Sequence, residues 1–185
     1  MEETKDNTNM ELKKAIISEC TAYRYELHRT WDKSKPKVLF IMLNPSTADA
    51  IHDDATTIRC INYAKRWGFG SMMIGNLYPY RTKSPRELMA WKVFGERYSV
   101  FKDNQQHVEI MIDTADLIVC AWGSNHPGIP EWLEYYDLHY LELCNDGITP
   151  KHPLGNLSKD LIPRHYGGNP AICFSQTKYD NGWII

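Results

Sequence analysis

Residues 37–43 (KVLFIML) form a short, continuous apolar run that indicates the fold class. An apolar run of this length without alternation is typical of a strand that is buried on both faces of a sheet. Two similar runs follow, at 71–75 (SMMIG) and 116–122 (DLIVCAW). Residues 56–67 and 104–115 instead place apolar side chains at helical spacing. Strands that alternate with helices predict parallel βαβ units, with helices on both faces of the sheet.

The fold class predicted from this order is one three-layer α/β/α domain with a central, mostly parallel sheet. A length of 185 residues suits a single domain, since domains usually run to about 100–200 residues. We assign the domain to residues 21–185 and expect residues 1–20 to form a polar tail or a short helix. Within the domain, residues 21–31 predict a further strand, residues 130–144 a helix, and residues 147–150 a short fourth strand of the buried set.

Composition and charge are those of a globular protein and argue against a membrane protein or a tight binder of duplex DNA. Hydrophobic residues make up 43% and charged residues 24%, as in an ordinary globular protein. No window approaches 18 consecutive apolar residues, and no apolar core follows Met1-Glu2-Glu3, so we expect a cytoplasmic protein with no membrane partner. The formal net charge of −2 lacks the basic excess that usually accompanies tight binding to duplex DNA.

The motifs of several large enzyme classes are missing from the sequence. It has no phosphate loop, no Gly-x-Gly-x-x-Gly, no Gly-x-Ser-x-Gly and no His-Glu-x-x-His. The five cysteines are widely spaced and contain no Cys-x-x-Cys pair, so we expect reduced thiols at Cys20, Cys60, Cys120, Cys144 and Cys173. We therefore predict neither a metal nor a bound cofactor.

Polar loops follow the three buried runs, and they are the expected place for a ligand. These loops are 44–47 (NPST), 76–79 (NLYP) and 123–126 (GSNH). In open α/β sheets, ligands bind beyond the carboxyl ends of the strands. The three loops should therefore build one site together.

Four strings stand in order along the chain: 43–47 (LNPST), 74–77 (IGNL), 121–124 (AWGS) and 152–158 (HPLGNLS). Together they resemble the uracil-DNA glycosylase superfamily, in the Asn-Pro version found in mismatch-specific and thymine-DNA glycosylases. The longer string 43–49 (LNPSTAD) also resembles an uncharacterised bacterial and phage family. The first resemblance implies a uracil-DNA-glycosylase-like fold.

The resemblance also implies roles for individual residues. Asn44 and His152 become the predicted catalytic residues: Asn44 positions the attacking water, and His152 donates a hydrogen bond to the base carbonyl as negative charge builds there. Asn76 would read the edge of the base, because an amide offers one donor group and one acceptor. Tyr78 or Tyr80 would stack on the base.

The same loops contain the other predicted substrate-binding residues, which are Pro45, Ser46, Asp53, Asp54, Arg81, Gly123 and Ser124. Simpler structural interpretations stay open. Asn44 and Asn76 could be strand-end residues with local hydrogen bonds, and His152 a plain loop histidine. For Asp53 and Asp54 we favour capping of the following helix, although a carboxylate facing the pocket would supply an acid or a base. Arg81 could bind phosphate or simply be solvated.

The function predicted from these residues is recognition of a nucleobase or nucleotide. We expect an N-glycosidase that hydrolyses the base–sugar bond in a nucleotide or in single-stranded or mispaired DNA. The alternative is a non-catalytic protein that sequesters a signalling nucleotide. The net charge and an Asn at position 44, where the fastest glycosylases carry Asp, favour this alternative. A purely structural domain would leave the three loops without a shared purpose.

Overall fold

The computed structural model describes residues 12–94 and 98–166. Within them lie a seven-stranded sheet and three α-helices. The strands are β1 (Leu12–Ile17), β2 (Arg24–Thr30), β3 (Lys37–Met42), β4 (Ser71–Asn76), β5 (Leu117–Cys120), β6 (His139–Tyr140) and β7 (Arg164–His165). The helices are α1 (Ala55–Arg66), α2 (Pro85–Phe94) and α3 (Tyr98–Thr114), and a short 3-10 helix covers Glu131–Leu133.

The sheet is mixed, in the order β1-β2-β4-β3-β5-β6-β7. The four strands β4, β3, β5 and β6 run parallel to one another. β1, β2 and β7 join at the two sides through antiparallel pairings. The predicted α/β class is confirmed. The prediction of a mostly parallel sheet fits only the four central strands, because half of the strand pairings are antiparallel.

The central strand β3 explains why its sequence shows no alternation. Val38, Phe40 and Met42 pack on the face covered by α1, whereas Leu39 and Ile41 pack on the face covered by α3. Both sets are buried, so each position from Val38 to Met42 needs an apolar side chain. The sheet therefore has a helix and a hydrophobic core on each face.

The start of α1 carries both predicted capping aspartates, but only one of them is a cap. Asp54 is the N-cap residue, and its Oδ1 accepts a hydrogen bond from the Thr57 backbone N–H at 2.8 Å. Asp53 instead forms ion pairs with Arg29 of β2 and Lys13 of β1. The capping prediction is confirmed for Asp54 and wrong for Asp53, whose carboxylate joins the helix entry to the sheet.

The N-terminal prediction was wrong where the structure can be compared with it. Residues 12–17 form β1, not a tail or a helix, and pair with β2 in antiparallel register. An edge strand has one partner and no continuous apolar run, so its sequence resembles that of a polar segment. Residues 1–11 of the predicted tail and residues 167–185 of the predicted domain lie outside the described residues.

Two predictions in the C-terminal third were also wrong. Residues 130–144 hold only the short 3-10 helix and β6, because Leu133 and Leu138 enter the core beside α3 while His139 pairs with Val119 of β5. Residues 147–150 form no strand; Pro150 makes a single bridge to Leu143.

Four of the five cysteines lie within the described residues. Cys20, Cys60, Cys120 and Cys144 are free thiols, and Cys173 lies outside the described residues. Burial raises the pKa of both the Cys60 and the Cys120 thiol, which suits them as small core residues. In the part of the chain that the structure describes, no helix combines the length and the apolar character needed to cross a membrane.

Candidate functional site

A cavity of about 250 Å³ opens at the carboxyl ends of β3 and β4, on the face of the sheet covered by α1. Met42 and Ile74, near the ends of these strands, contribute its apolar surface. The rest of the wall is polar. The lining residues are Arg24, Met42, Asn44, Ser46, Asp54, Thr56, Thr57, Ile74, Asn76, Thr82, Lys83 and His152.

Five predicted site residues meet in this cavity although they are far apart in sequence: Asn44, Ser46, Asp54, Asn76 and His152. Asn44 and Ser46 follow β3, and Asn76 ends β4. Asp54 caps α1, and His152 comes from the loop after Pro150. Their convergence agrees with the expectation that the carboxyl ends of the strands build one site. Their chemical roles stay predictions.

Asn44 has its amide orientation set by backbone carbonyls. Its Nδ2 lies 2.9 Å from the Thr82 oxygen, 3.1 Å from that of Pro45 and 3.3 Å from that of Tyr80. This arrangement requires the NH2 group on that side, since an oxygen there would face three acceptors. Asn44 Oδ1 makes no hydrogen bond with the described residues and is left as an acceptor beside the cavity.

Asn76 is fully buried, and neither of its side-chain polar atoms has a partner among the described residues. The strand around it is well anchored, because Asn104 of α3 donates to the Asn76 carbonyl at 2.9 Å. A buried amide without hydrogen bonds costs about 1–3 kcal/mol for each unsatisfied group. Asn76 is nevertheless one of the residues that line the cavity.

His152 is held as a neutral hydrogen-bond donor. Burial lowers its pKa, with Asp54 acting weakly in the opposite direction. Its Nδ1 accepts a hydrogen bond from the Leu154 backbone N–H at 3.2 Å. In neutral imidazole the proton then sits on Nε2, the nitrogen that is left to donate to a ligand.

Gly123 lies directly against His152 and its loop. Its φ of +77° suits glycine, and an added Cβ would come within 3.2 Å of the His152 Cβ. Its N–H also bonds to the Pro150 carbonyl at 2.9 Å. Gly123 and Ser124 were predicted to line the site. They do not line the cavity: Gly123 positions the His152 loop, and Ser124 is exposed.

Tyr78 and Tyr80 were predicted to stack on a base, and the structure places both outside the cavity lining. The chain turns away after β4. Tyr80 stacks on Trp91 of α2 with the ring centroids 5.3 Å apart, and Tyr78 packs edge-on against Phe101 of α3. Both rings therefore pack against other rings of the protein, and stacking of either on a base stays a prediction.

Three more predicted residues lie outside the lining. Arg81 donates to the Thr21 carbonyl at 3.0 Å, and Asp53 is held by its ion pairs. Pro45 is buried, and its carbonyl accepts from the Thr82 N–H at 3.0 Å. Pro45 thereby joins the two loops that border the cavity without facing it.

Two charged residues of the cavity were not predicted from the sequence: the buried Arg24 at the start of β2 and the exposed Lys83. The other lining residues that were not predicted are Met42, Thr56, Thr57, Ile74 and Thr82. The strand β2 is antiparallel to β4, so its first residue lies at the same sheet edge as the last residues of the parallel strands. The sequence offered one hint of this, because Arg24 is a cation within the segment 21–31 that was predicted to be a strand.

No group of three or more His, Cys, Asp or Glu side chains within residues 12–94 and 98–166 is arranged to hold a metal ion. The side chains around the cavity offer hydrogen bonds and charge instead. The lining contains two cations, Arg24 and Lys83, one anion, Asp54, and several neutral polar side chains, so the cavity suits a polar ligand.

A family model described as a protein of unknown function, DUF1643, matches residues 24–154. The chain belongs to the DUF1643 family. No curated protein and no solved structure matches the chain. The stretch matched by DUF1643 runs from Arg24 to two residues beyond His152, so it contains every residue that lines the cavity. β1 and β7 lie outside it.

Proposed function

We propose that this DUF1643 protein binds a nucleobase or nucleotide in the cavity and hydrolyses the bond between base and sugar. The observation that carries the proposal is the buried Asn76 amide, whose Nδ2 and Oδ1 both lack partners among the described residues. A base edge presents an acceptor and a donor side by side and would satisfy both atoms. Satisfying a buried group recovers about 1–3 kcal/mol that would otherwise be lost.

The hydrolytic step can be assigned to three side chains that line the cavity. Asn44 Oδ1 accepts a hydrogen bond from the attacking water and orients it toward C1′. Asp54 takes the proton of that water: its Oδ1 is occupied by Thr57, and its Oδ2 makes no hydrogen bond with the described residues. The electron pair of the C1′–N bond leaves with the base, and His152 Nε2–H stabilises the negative charge on the base carbonyl.

The fold adds support of a more general kind. Parallel central strands with a helix on each face, and a cavity at their carboxyl ends, suit the glycosylase-like architecture that the four sequence strings imply. Within this proposal, Met42 and Ile74 provide the apolar contact with the base that was expected from Tyr78 or Tyr80.

The experiment is a search for released base. The protein is incubated with nucleosides, mononucleotides and oligonucleotides that contain uracil, hypoxanthine or a mismatch, and free base is quantified by mass spectrometry. We expect release from at least one substrate and a loss of at least about 100-fold in Asn44→Ala and His152→Ala. Lys33→Ala, in an exposed turn at the opposite sheet edge, is the control. Release that is equal in all four proteins would contradict the assignment.

One observation favours a second candidate, sequestration of an intact nucleotide. The Asn44 NH2 group donates its hydrogen bonds to the Thr82, Pro45 and Tyr80 carbonyls. These bonds join two loops, which is a structural role. A protein of this kind would bind the nucleotide saturably and leave it intact. In the same experiment, mass spectrometry would then recover the bound nucleotide unchanged.

A further inference from the structure

Arg24 enters the cavity because of an irregularity in β2. In the pairing with β1, Glu26 lies opposite Ile16 and Arg24 lies opposite Ile17, so Tyr25 has no partner. Such a bulge re-aims the side chains on one side of it. In a regular strand, Arg24 and Glu26 would share a face. Here Glu26 bonds to His107 of α3, whereas Arg24 lies in the cavity on the α1 face.

Arg24 is a buried cation with most of its hydrogen-bonding capacity unused. The residue is 3% exposed. Its Nη1 donates to the Ala48 carbonyl at 2.8 Å, but its Nε has no partner among the described residues and its Nη2 makes no hydrogen bond with them. No carboxylate of the described residues lies within ion-pair distance of it. Buried guanidinium groups are ordinarily paired, since an isolated buried charge is costly.

The electrostatic surroundings also leave Arg24 uncompensated. Burial lowers its pKa to about 10, so the group still carries its charge at neutral pH. Asp54 and Asp49 attract it, whereas Arg81 and Arg29 repel it, so two cations oppose the two anions around it. Among the side chains lining the cavity, Arg24 and Lys83 outnumber the single anion, Asp54. A ligand that carries negative charge would complete the balance.

We propose that Arg24 forms a subsite for the phosphate monoester of a mononucleotide, so that the substrate class of the cavity is a free nucleotide instead of a DNA strand. This inference rests on the proposed function for the base end of the ligand. A buried guanidinium can bind a terminal phosphate, because a phosphate monoester is linked to the rest of the ligand through a single ester bond. A phosphodiester within a strand must lead two chain directions out of a cavity of about 250 Å³. The net charge of −2 also gives no general attraction for a polymer of phosphates.

The hydroxyl groups around the cavity extend this subsite. The hydroxyls of Ser46 and Thr56 line the wall, and the exposed Lys83 lies at its border. Hydroxyl donors and an ammonium group suit phosphate oxygens, while the planar guanidinium of Arg24 can donate two parallel hydrogen bonds. The base would then lie toward Asn76 and the phosphate toward β2.

The test compares matched ligands that differ only in the phosphate. Calorimetry measures the dissociation constants of deoxyuridine and deoxyuridine 5′-monophosphate, of inosine and inosine 5′-monophosphate, of inorganic phosphate, and of a uracil-containing 15-residue single strand. We expect each monophosphate to bind roughly 10- to 100-fold more tightly than its nucleoside. In Arg24→Gln that preference should fall to about one, and in Arg24→Lys it should be partly retained. Lys33→Gln, which removes an exposed cation, should change nothing.

The outcomes separate this inference from the proposed hydrolysis. Arg24-dependent preference for monophosphates without any base release supports the subsite and contradicts the hydrolysis. Base release with equal kcat/KM for nucleosides and monophosphates supports the hydrolysis and overturns the subsite. Tighter binding of the single strand than of every monophosphate also overturns it, as does a lack of binding by all the phosphate-bearing probes. If Arg24→Gln fails to fold, the comparison of matched ligands on the native protein decides the question.

Discussion

Replacing Asn76 with Leu should stabilise the free protein while weakening its ligand binding. Asn76 is 0% exposed, and its amide nitrogen and oxygen both lack partners among the described residues. A structural asparagine would contribute stability, whereas an amide reserved for a ligand costs stability in the free protein. The substitution Asn76→Leu keeps a similar side-chain shape and removes the two unsatisfied groups.

The expected change in the free energy of unfolding follows from the cost of buried polar groups that lack a hydrogen bond. Each buried unsatisfied group costs about 1–3 kcal/mol, and part of the gain is lost because the cavity floor must accommodate a slightly larger side chain. We expect the free energy of unfolding to rise by about 1–2 kcal/mol. For a domain of this size, 1 kcal/mol corresponds to about 2–4 °C in Tm, so the rise should be about 2–8 °C. Most single substitutions instead destabilise, by about 1 kcal/mol.

The structure offers a matched control in Asn104→Leu. Asn104 is 2% exposed, and its Nδ2 donates to the Asn76 carbonyl at 2.9 Å. Its own Oδ1 has no partner among the described residues, which reduces the net loss. Removing the bonded NH2 group leaves a buried carbonyl unpaired, so Asn104→Leu should lower the free energy of unfolding by about 1 kcal/mol. The substitution of a buried asparagine by leucine should thus raise the free energy of unfolding at position 76 and lower it at position 104.

The assay is thermal unfolding followed by circular dichroism, with ligand affinity measured by calorimetry on the same preparations. Asn76→Leu should weaken binding of the preferred nucleotide by at least roughly 10-fold. If Asn76→Leu lowers Tm as much as Asn104→Leu does, Asn76 is a structural residue. If it raises Tm but leaves affinity unchanged, the amide is not the group that reads the base.

Asp54→Asn should keep the helix cap and abolish most base release, whereas Asp54→Ala should also cost about 1 kcal/mol of stability; Tm and initial rates separate the two effects, and equal rates in Asp54→Asn and the native protein would refute the catalytic role. Asn44→Asp should lower Tm, because it turns a second oxygen toward three carbonyls; an unchanged Tm would contradict this geometry. Gly123→Ala should lower Tm by strain at φ +77° and slow base release by displacing His152, and a normal rate would show that the contact has no effect on the site. Burial lowers the pKa of His152 below its ordinary value of about 6.5, so any change in rate that depends on protonation of His152 should be centred below pH 6.5; a change centred above pH 6.5 in the native protein and absent from His152→Gln would contradict this.

The apolar runs made the centre of the fold predictable. β3, β4 and β5 were recognisable because both faces of each strand are buried, and α1 was recognisable from its apolar spacing and its cap. The edge strand β1 lacks such a signal, since its pairing with β2 satisfies the backbone without requiring a buried side chain at every position. The helix predicted over residues 130–144 was wrong for a related reason. Apolar side chains of this irregular segment fill the core, and their spacing in the sequence alone does not distinguish such a segment from a helix.

The site was predictable where strand ends determine it. Asn44 and Asn76 lie at neighbouring carboxyl ends, so their proximity follows from the parallel pairing of β3 with β4. Arg24 could not be found this way, because its direction depends on a bulge that skips Tyr25. Tyr80 was misplaced because the sequence does not show that Trp91 of α2 provides a partner for its ring.

A structure of the protein with pseudouridine 5′-monophosphate would show where the base binds, since the carbon–carbon glycosidic bond of this nucleotide resists hydrolysis. We expect the base in the cavity with its edge at Asn76 and its carbonyl near His152 Nε2. We also expect C1′ beside Asn44 and Asp54. A nucleotide bound elsewhere, such as in the basic groove formed by Arg59, Lys65 and Lys159, with the Asn76 amide still unpaired, would contradict the account.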